Sequence, residues 1–364
     1  MPTQDIDIIV DGKALVFSAN NQSWTVNCRI ESEQDDAVFS IKDHSTLFNN
    51  GVIVSYAANG FAGVRFMGDY GQIYNFGQVA GPTGIDTYGL HTLIVNGGDV
   101  SGNIGVMFGG TTSYGQLQNG GSIYGIDYGV IDYSDDGAFI KNMDSIMSSG
   151  TAIDIITASA NATTLIENEA GAKIVGNDYA IHTESGALSL FNSGLVQGDI
   201  VCDALNADDD IDNAGGTITG DVLLGSGDDS FIGIGGTVTG NIKGGAGDDW
   251  LGGGKGADDL YGGADADTFD FANLKEIGKA NHDVIHDFSE AQNDLIDLSL
   301  IDAKTNKVGN QAFHFIGDDA FSGKAGELRY ANHLLQGDVN GDGKADFNIG
   351  VLNVAHLHGF DFDL

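Results

Sequence analysis

Glycine and aspartate recur at a fixed nine-residue spacing between residues 224 and 270. The pattern is GGxGxDxUx, where U is a large apolar residue; full copies start at Gly244, Gly253 and Gly262, and a degenerate copy spans 224–232. Glycine accepts the positive φ that turns backbone carbonyls inward, and the aspartate adds a hard anionic oxygen. Oxygen ligands in a flexible cage suit Ca²⁺, so the repeat predicts several calcium sites. The predicted ligand positions are Gly225, Gly227, Asp229, Gly245, Gly247, Asp249, Gly254, Gly256, Asp258, Gly263, Asp265 and Asp267.

Two copies of the repeat would form one coil of a parallel β-roll, because each copy ends in a short strand with one core-facing apolar residue. Asp229, Asp249 and Asp267 then lie one coil apart and should stack on one side, with Asp258 on the other. Asp265 stands where the repeat expects glycine, and aspartate tolerates left-handed backbone better than most residues. The alternative is a glycine-rich flexible linker, which would not hold aspartate and an apolar residue in a fixed phase.

A second group of oxygen donors follows near the carboxyl terminus. Asp338, Asn340, Asp342 and Asp346 occupy positions 1, 3, 5 and 9 of an EF-hand-like loop. Ile349 stands where the bidentate glutamate of such a loop belongs. Two interpretations stay open here, a further calcium site and an Asx-rich hairpin turn that binds no metal.

Catalysis has weaker candidates, namely Asp127, Asp132, His182 and Glu184. Active sites on β-solenoids are assembled from successive coils, so they leave no linear motif. The sequence contains no GxSxG motif, no phosphate-binding glycine loop and no adjacent cysteine and histidine. Exposed solenoid side chains are therefore the favoured interpretation of these four residues, and an enzyme is the alternative.

Two histidine pairs resemble zinc ligands only superficially. His282 and His286 have the spacing of a zinc-protease helix, but they lie in a strand-like stretch. A strand would hold them about 13 Å apart, too far to share one ion. His356 and His358 have no acidic or cysteine partner at ligand spacing in the sequence. We expect no zinc site from either pair.

The scaffold for these groups is predicted by a looser repeat with a period of about 20 to 26 residues in the first two thirds of the chain. This period matches one coil of a right-handed parallel β-helix, and three apolar clusters per coil predict three sheets. Copies begin near Asn50 and Asn75 and at Asn96, Asn119, Asn142, Asn168, Asn192 and Asn213. The asparagines should stack into an internal ladder of hydrogen bonds. An antiparallel β-sandwich is the alternative, and residues 5–20 are predicted to form a hairpin that closes the first coil.

The last third of the chain resembles a known family. The resemblance is carried by the acidic repeats and by the segments 267–271 (DTFDF), 282–288 (HDVIHDF), 294–299 (DLIDLS), 311–317 (QAFHFIG), 325–330 (AGELRY) and 337–347 (GDVNGDGKADF). These segments are similar to the RTX β-roll and the serralysin-type C-terminal domain of bacterial type I secretion substrates. The amino-terminal part resembles an adhesin-like β-solenoid. The resemblance implies export by the type I machinery, with the tail 359–364 (GFDFDL) as an uncleaved signal that is not part of the core.

Composition agrees with a calcium-rich, extracellular destination. The chain has 15 Lys and Arg against 52 Asp and Glu, a formal net charge of -37, which opposes compaction unless cations neutralise it. Such a charge argues against nucleic acid as a partner and against insertion into membranes, for which no long apolar stretch exists. The amino terminus lacks the features of a cleaved signal peptide. Cys28 and Cys202 should lie too far apart along a solenoid to form a disulfide.

We therefore predict an all-β protein in which a right-handed parallel β-helix runs into a calcium-binding parallel β-roll with a C-terminal β-rich cap. The expected domains are 1–220 (β-helix with an N-terminal cap), 221–275 (β-roll) and 276–364 (serralysin-type domain with the secretion signal). The favoured function is a structural or adhesive protein of the bacterial surface or matrix, with itself or a surface polysaccharide as partner. An enzyme acting on extracellular polysaccharide, or a passive glycan- or ice-binding module, is the alternative.

Overall fold

The chain is all-β. The computed structural model describes residues 3–4, 8–10, 12–58, 60–110, 114–157, 159, 161–279 and 282–364. Across these residues the regular elements are β-strands and one short 3₁₀ helix, Gly359–Asp361. The predicted fold class of parallel β-helix and β-roll is confirmed. The chain divides into two compact units, Met1–Ala204 (unit 1) and Leu205–Leu364 (unit 2). The domain boundaries expected after residues 220 and 275 remain predictions.

Unit 1 consists of short strands separated by tight corners. The strands are β1 (Thr3–Gln4), β2 (Ile8–Val10), β3 (Leu15–Phe17), β4 (Ser23–Val26), β5 (Arg29–Ser32), β6 (Val38–Ser40), β7 (Thr46–Asn49), β8 (Val52–Ser55), β9 (Ala62–Phe66), β10 (Gln72–Asn75), β11 (Gln78–Ala80), β12 (Thr83–Thr87), β13 (Leu93–Asn96), β14 (Asp99–Phe108), β15 (Gln116–Asn119), β16 (Ser122–Asp132), β17 (Phe139–Asn142), β18 (Ser145–Ser148), β19 (Thr151–Ile156), β20 (Thr163–Asn168), β21 (Lys173–Gly176), β22 (Ile181–Ser185), β23 (Ala187–Asn192), β24 (Leu195–Gln197) and β25 (Ile200–Cys202).

These strands pair in parallel into three sheets, as the three apolar clusters per coil predict. The first sheet contains β1, β4, β7, β10, β13, β15, β17, β20 and β23. The second contains β2, β5, β8, β11, β14, β16, β18, β21 and β24. The third contains β3, β6, β9, β12, β14, β16, β19, β22 and β25, so the long strands β14 and β16 serve two sheets.

The core of unit 1 is built from stacked apolar side chains. Side chains alternate between the two faces of a strand, so every second residue points inward. Ile73 of β10 pairs with Leu47 of β7 and with Ile94 of β13, and all three are fully buried. Each coil therefore adds one layer to a continuous apolar column, and its stability depends on its neighbours.

The predicted asparagine ladder is present inside unit 1. Each amide Nδ2 donates to the Oδ1 of the asparagine in the next coil at 2.8 or 2.9 Å. The members are Asn49, Asn75, Asn96, Asn119, Asn142, Asn168 and Asn192, so the ladder uses Asn49 where the sequence suggested Asn50. Glycine residues follow the ladder asparagines in the sequence, because the backbones of neighbouring coils approach closely there. A Cβ on Gly98 or Gly121 would collide with the carbonyl oxygen of the preceding coil.

Unit 2 is also built from short strands. Its strands are β26 (Asp210–Asp212), β27 (Thr217–Thr219), β28 (Val222–Ser226), β29 (Ser230–Ile232), β30 (Thr237–Val238), β31 (Asn241–Ala246), β32 (Trp250–Gly252), β33 (Asp259–Ala264), β34 (Thr268–Asp270), β35 (Val284–Ile285), β36 (Leu295–Asp297), β37 (His314–Phe315), β38 (Glu327–Ala331), β39 (Leu334–Asp338), β40 (Phe347–Val351) and β41 (Phe362–Asp363).

Two parallel ladders form the roll of unit 2. One contains β26, β29, β32, β34, β36 and β41. The other contains β28, β31, β33, β35 and β40, and β27 pairs with β30. Strands β38, β39 and β40 then pair antiparallel, and β37 lies parallel to β38. The residues between β36 and β41 thus add a small meander to the roll.

Two local predictions are wrong. The hairpin expected within residues 5–20 is not formed by β2 and β3, because these strands pair in parallel with β5 and β6 of the following coil. Residues 5–7 and 11 of that segment lie outside the described residues. The tail is also part of the folded core, since β41 pairs with β36 and the ring of Phe362 lies 4.9 Å from that of Phe315.

Among the described residues, no helix has the length and apolarity needed to cross a membrane.

Candidate metal centre

The repeat aspartates form a continuous column along one edge of unit 2. The backbone N–H of Asp229 donates to Oδ1 of Asp249 at 2.9 Å, and the N–H of Asp249 donates to Oδ1 of Asp267 at 3.2 Å. The column extends in both directions, since Asp209 donates to Asp229 at 2.7 Å and Asp267 donates to Asp294 at 3.2 Å. The stacking of Asp229, Asp249 and Asp267 is therefore as the sequence predicts.

Three carboxylates of this column each have one oxygen that lacks a protein partner. The Oδ2 atoms of Asp229, Asp249 and Asp267 are buried without a hydrogen bond. A buried carboxylate oxygen is costly unless a donor or a cation compensates it. The column thus presents a row of hard anionic oxygens at one-coil spacing, and this donor set fits Ca²⁺.

Electrostatics favour a cation in this column. Burial, reinforced by neighbouring carboxylates, raises the pKa of Asp229 and Asp267 to about 8 and that of Asp249 to about 7. The charged forms of these groups are therefore unfavourable when no positive charge is nearby. A bound divalent cation would stabilise the carboxylates and reverse this effect.

The repeat glycines explain how the carboxylates reach their positions. Positive φ occurs at Gly225, Gly227, Gly245, Gly247, Gly254, Gly256 and Gly263. Asp265 also has a positive φ of 78°, so aspartate does adopt the glycine conformation at this position. At the first position of the repeat, a Cβ on Gly244 or Gly262 would collide with Oδ2 of the aspartate five residues later. Glycine there leaves room for the carboxylate.

Asp258 lies in a second column, together with Asp283. The N–H of Asp258 donates to Oδ1 of Asp283 at 3.0 Å, while both carboxylate oxygens of Asp258 are buried without a partner. Glu276 shares a small cleft with Asp283, Asp270 and the glycines that precede Asp258. Burial and neighbouring carboxylates raise the pKa of Asp258 to about 8. This second group of oxygens fits a calcium ion in the same way.

Several acidic members of these columns are not evident from the sequence. Asp209 precedes Asp229 by 20 residues, the spacing of the following coil, but its turn has no glycine pattern. Asp283 and Asp294 follow their partners by 25 and 27 residues, because the later coils are longer. The 20-residue spacing could have identified Asp209, whereas the longer coils change the spacing of Asp283 and Asp294.

The EF-hand-like loop joins the antiparallel strands β39 and β40. Asp338 is fully buried, and its two oxygens accept the N–H groups of Gly341 at 2.6 Å and Gly343 at 2.8 Å. Asp346 accepts the N–H of Val339 at 2.8 Å and the side chain of Asn340 at 2.7 Å. These bonds are those of an Asx-rich hairpin. Calcium binding by Asp338, Asn340, Asp342 and Asp346 remains a prediction.

The four candidate catalytic residues do not all lie in one site. His182 and Glu184 line a groove of unit 1, where Nδ1 of His182 lies 2.8 Å from Oδ1 of Asp154, a residue that the sequence did not suggest. Asp127 is outside the described lining of this groove. Asp132 is fully buried and hydrogen bonded to Ser134 and Thr164, so its interpretation as an exposed solenoid side chain is wrong.

The groove around His182 is acidic and aromatic. Its described lining is Tyr128, Thr151, Asp154, Asn177, Asp178, Tyr179, His182 and Glu184. The hydrogen bond that the His182 imidazole donates to Asp154 raises the pKa of the imidazole, and a second carboxylate, Asp203, lies 3.5 Å from Nε2. The imidazole also stacks on Tyr179 with the ring centres 5.0 Å apart.

Two further histidines, His286 and His358, have acidic neighbours that the sequence did not reveal. Nε2 of His286 lies 2.6 Å from Asp259, and His286 follows directly after β35. His358 does have acidic partners: its Nδ1 lies 2.7 Å from Glu290 and 3.9 Å from Asp361. Glu290 is 68 residues away in sequence, so only folding brings the two together.

Comparison with known proteins gives the family. Residues 149–362 match the family described as Peptidase M10 serralysin C terminal, which is more than half of the chain. The chain belongs to this family of secreted, RTX-type domains with a β-roll, which marks it as a type I secretion substrate. Domains of this kind are generally calcium-binding, and the buried aspartates of unit 2 fit that property. The match starts within unit 1, so it reaches well beyond the last third of the chain. No curated protein matches the chain.

Proposed function

We propose that this protein is a secreted, calcium-loaded structural component of the bacterial surface or extracellular matrix. In this proposal unit 2 binds several Ca²⁺ ions through the two aspartate columns and supports export. Unit 1 supplies a regular surface through which copies of the protein assemble. The buried, unpartnered carboxylate oxygens of unit 2 support the calcium part of the proposal.

The observation that carries the assembly part is an uncharged face on the first sheet of unit 1. We define this face by the outward side chains of β7, β10, β13 and β15, which alternate with buried residues. They are Thr46, Phe48, Gln72, Tyr74, Leu93, Val95, Gln116 and Gln118. None is charged in a chain of net charge -37, and Phe48 stacks on Tyr74 with ring centres 4.8 Å apart.

This face is where two copies could approach without electrostatic repulsion. Like charges oppose association over most of an acidic surface, whereas a flat face of apolar and amide side chains has no such penalty. Calcium would act at other positions by neutralising the acidic edges. A second copy of the chain is therefore the partner that we propose for the uncharged face.

The test is assembly of the full chain with and without calcium, followed by electron microscopy and sedimentation velocity. We expect ordered arrays or fibres in calcium that are lost in Val95→Asp, which adds a charge to the uncharged face. Val54→Asp is the matched control, because Val54 is an outward valine on the second sheet. A wild-type protein that stays monomeric in calcium, or a Val95→Asp variant that assembles normally, would refute the assembly proposal.

An enzyme acting on acidic polysaccharide is the second candidate, and the groove around His182 is the observation that favours it. An imidazole between two carboxylates is a reasonable acid–base arrangement. The described lining of the groove, however, contains three carboxylates and no lysine or arginine, so it would repel a uronate unless a cation bridged the two. Incubation with uronate polymers in calcium tests this candidate. Cleavage or epimerisation that His182→Ala abolishes would support the enzyme over the structural role. A passive glycan- or ice-binding module would bind without such turnover.

A further inference from the structure

In the groove around His182, side chains from two neighbouring strands lie next to one another. Asp154 of β19 pairs in register with His182 of β22. Glu184 follows His182 by two residues, at a β-bulge where the register of β19 and β22 shifts, and one oxygen of its carboxylate lies within 4.8 Å of ligand atoms of Asp154 and His182. Three potential ligands are therefore placed on adjacent strands of a rigid sheet, which holds side chains more firmly than a loop does.

We propose that Asp154, His182 and Glu184 form a site for a divalent transition metal ion such as Zn²⁺, separate from the calcium columns of unit 2. One ligand atom from each residue lies within 4.8 Å of the other two. In a tetrahedral zinc site with bonds of about 2.0 to 2.1 Å, ligand atoms are about 3.3 Å apart. Nδ1 of His182 and Oδ1 of Asp154 are 2.8 Å apart, which is shorter than that separation. Small side-chain rotations would suffice to place one ion between all three.

The ligand chemistry distinguishes this site from the calcium columns. An imidazole nitrogen with two carboxylates suits Zn²⁺ and related ions, whereas Ca²⁺ prefers oxygen ligands alone. The described columns of unit 2 offer buried carboxylate oxygens, without an imidazole among the stacked aspartates. Excess calcium should therefore fill the columns and leave the groove site open to a transition metal.

Two further contacts hold the imidazole in position. Tyr179 stacks on the ring at an interplanar angle of 21°, and Asp203 lies 3.5 Å from Nε2. A carboxylate at the second ring nitrogen fixes the tautomer and orientation of a metal-binding histidine. Asp154 contributes a carboxylate that is only 2% exposed, while the groove itself is open to solvent on the side of Glu184. An ion in this position would keep room for water or for an outside ligand.

The experiment is isothermal titration of the full chain with Zn²⁺ in saturating calcium, together with Co²⁺ absorption spectroscopy. A second cluster, Glu290, His358 and Asp361, has similar donors. His358→Ala is therefore introduced into every protein tested, so that binding reports on the groove. We expect one Zn²⁺ per chain, and visible Co²⁺ bands of a nitrogen and oxygen site. His182→Ala should weaken Zn²⁺ binding at least about tenfold, and Glu184→Gln should weaken it to a smaller degree.

The controls separate loss of ligands from loss of fold. His44→Ala, a change in an exposed histidine outside the groove, should leave Zn²⁺ binding unchanged. Circular dichroism and the urea midpoint show whether His182→Ala is folded, and His182→Gln repeats the test with a bulkier side chain. Absence of stoichiometric Zn²⁺ binding in calcium, or equal affinity in folded His182→Ala or His182→Gln protein, overturns the proposal.

Discussion

Asp249, in the column of unit 2, has two carboxylate oxygens with different surroundings. Oδ1 of Asp249 accepts the N–H of Asp229 and holds two coils in register, while Oδ2 is buried without a protein partner. The first oxygen is structural and the second is available to a cation. Asparagine at this position would keep an acceptor for the backbone and would remove the charge.

The Asp249→Asn variant is therefore expected to bind calcium more weakly while keeping the coil register. Removing one anionic ligand from a calcium cage lowers affinity, and we expect the calcium midpoint to rise at least about tenfold. Asp248→Asn is the matched control, because Asp248 is the exposed neighbour and its carboxylate lies outside the row of buried oxygens. A calcium titration followed by circular dichroism measures both. Equal midpoints for the two variants would contradict the assignment of Asp249.

A buried acid in unit 1 gives a separate pH effect. Asp86 is fully buried beside Arg65 at 2.7 Å, and burial, only partly offset by Arg65, raises its pKa to about 6. An acid whose pKa is higher in the folded state than in the unfolded state binds more protons when folded. Its contribution to stability is therefore unfavourable above pH 6 and improves as the pH falls from about 6 to about 4.

Asp86→Asn removes this titration, so the wild type should gain stability relative to the variant on acidification. A shift from 3.8 to about 6 corresponds to about 3 kcal/mol at most. Urea midpoints at pH 7 and pH 4.5 in saturating calcium measure the difference. Fluorescence of Trp24, in a Trp250→Phe background, reports on unit 1. A difference between the two proteins that is constant with pH would show that Asp86 does not titrate in this range.

At the scale of elements, the asparagine ladder is the main polar structure inside unit 1. Asn119 accepts from Asn96 at 2.8 Å, and its Nδ2 donates to Asn142 at 2.9 Å and to the carbonyl of Ser145 at 3.0 Å. Every member is at most 1% exposed, so a lost bond is not replaced by water.

Asn119→Ala should destabilise unit 1 by about 2 to 4 kcal/mol, because it removes the bond from Asn96, takes the acceptor from the buried N–H of Gly121 and leaves the buried Oδ1 of Asn142 without its ladder donor. Gln118→Ala is the control, since Gln118 is the outward neighbour on the same strand. The free energy of unfolding, from urea denaturation followed by Trp24 fluorescence, gives the comparison. Similar losses for both variants would mean that the ladder contributes little.

The elements were predictable where the chain repeats with a fixed phase. The asparagine and glycine corners of unit 1 and the Asp229, Asp249 and Asp267 column follow from spacing alone. The same reasoning failed for Asp283 and Asp294, because longer coils change the phase. The same reasoning did not identify Asp154. This residue lies 28 residues before His182, and the two side chains meet only because β19 and β22 are neighbouring strands. The parallel pairing of β2 with β5 and of β3 with β6 was not predicted, because two short strands joined by Asp-Gly resemble a hairpin locally.

At the scale of the whole molecule, the large negative charge determines whether the chain can fold. A net charge of -37 with many buried carboxylates in unit 2 cannot be accommodated by the few lysines and arginines. Each coil of the roll also has a thin core. Calcium binding should therefore contribute directly to the folding free energy of unit 2, as metal does in other small metal-dependent domains. We expect the apolar columns and the asparagine ladder of unit 1 to remain folded without calcium, because their contacts are made within the chain.

Calcium removal, with one tryptophan as reporter in each unit, tests the central claim most directly. Trp250→Phe leaves Trp24 in unit 1, and Trp24→Phe leaves Trp250 in unit 2, next to Asp249. In millimolar chelator we expect much of the β-type circular dichroism to disappear, the Trp250 signal to become that of an unfolded chain, and both to return when calcium is added. The Trp24 signal should remain native. An unchanged Trp250 signal and an unchanged melting temperature in chelator would contradict the account, because the aspartate columns would then fold without the cation that their buried oxygens require.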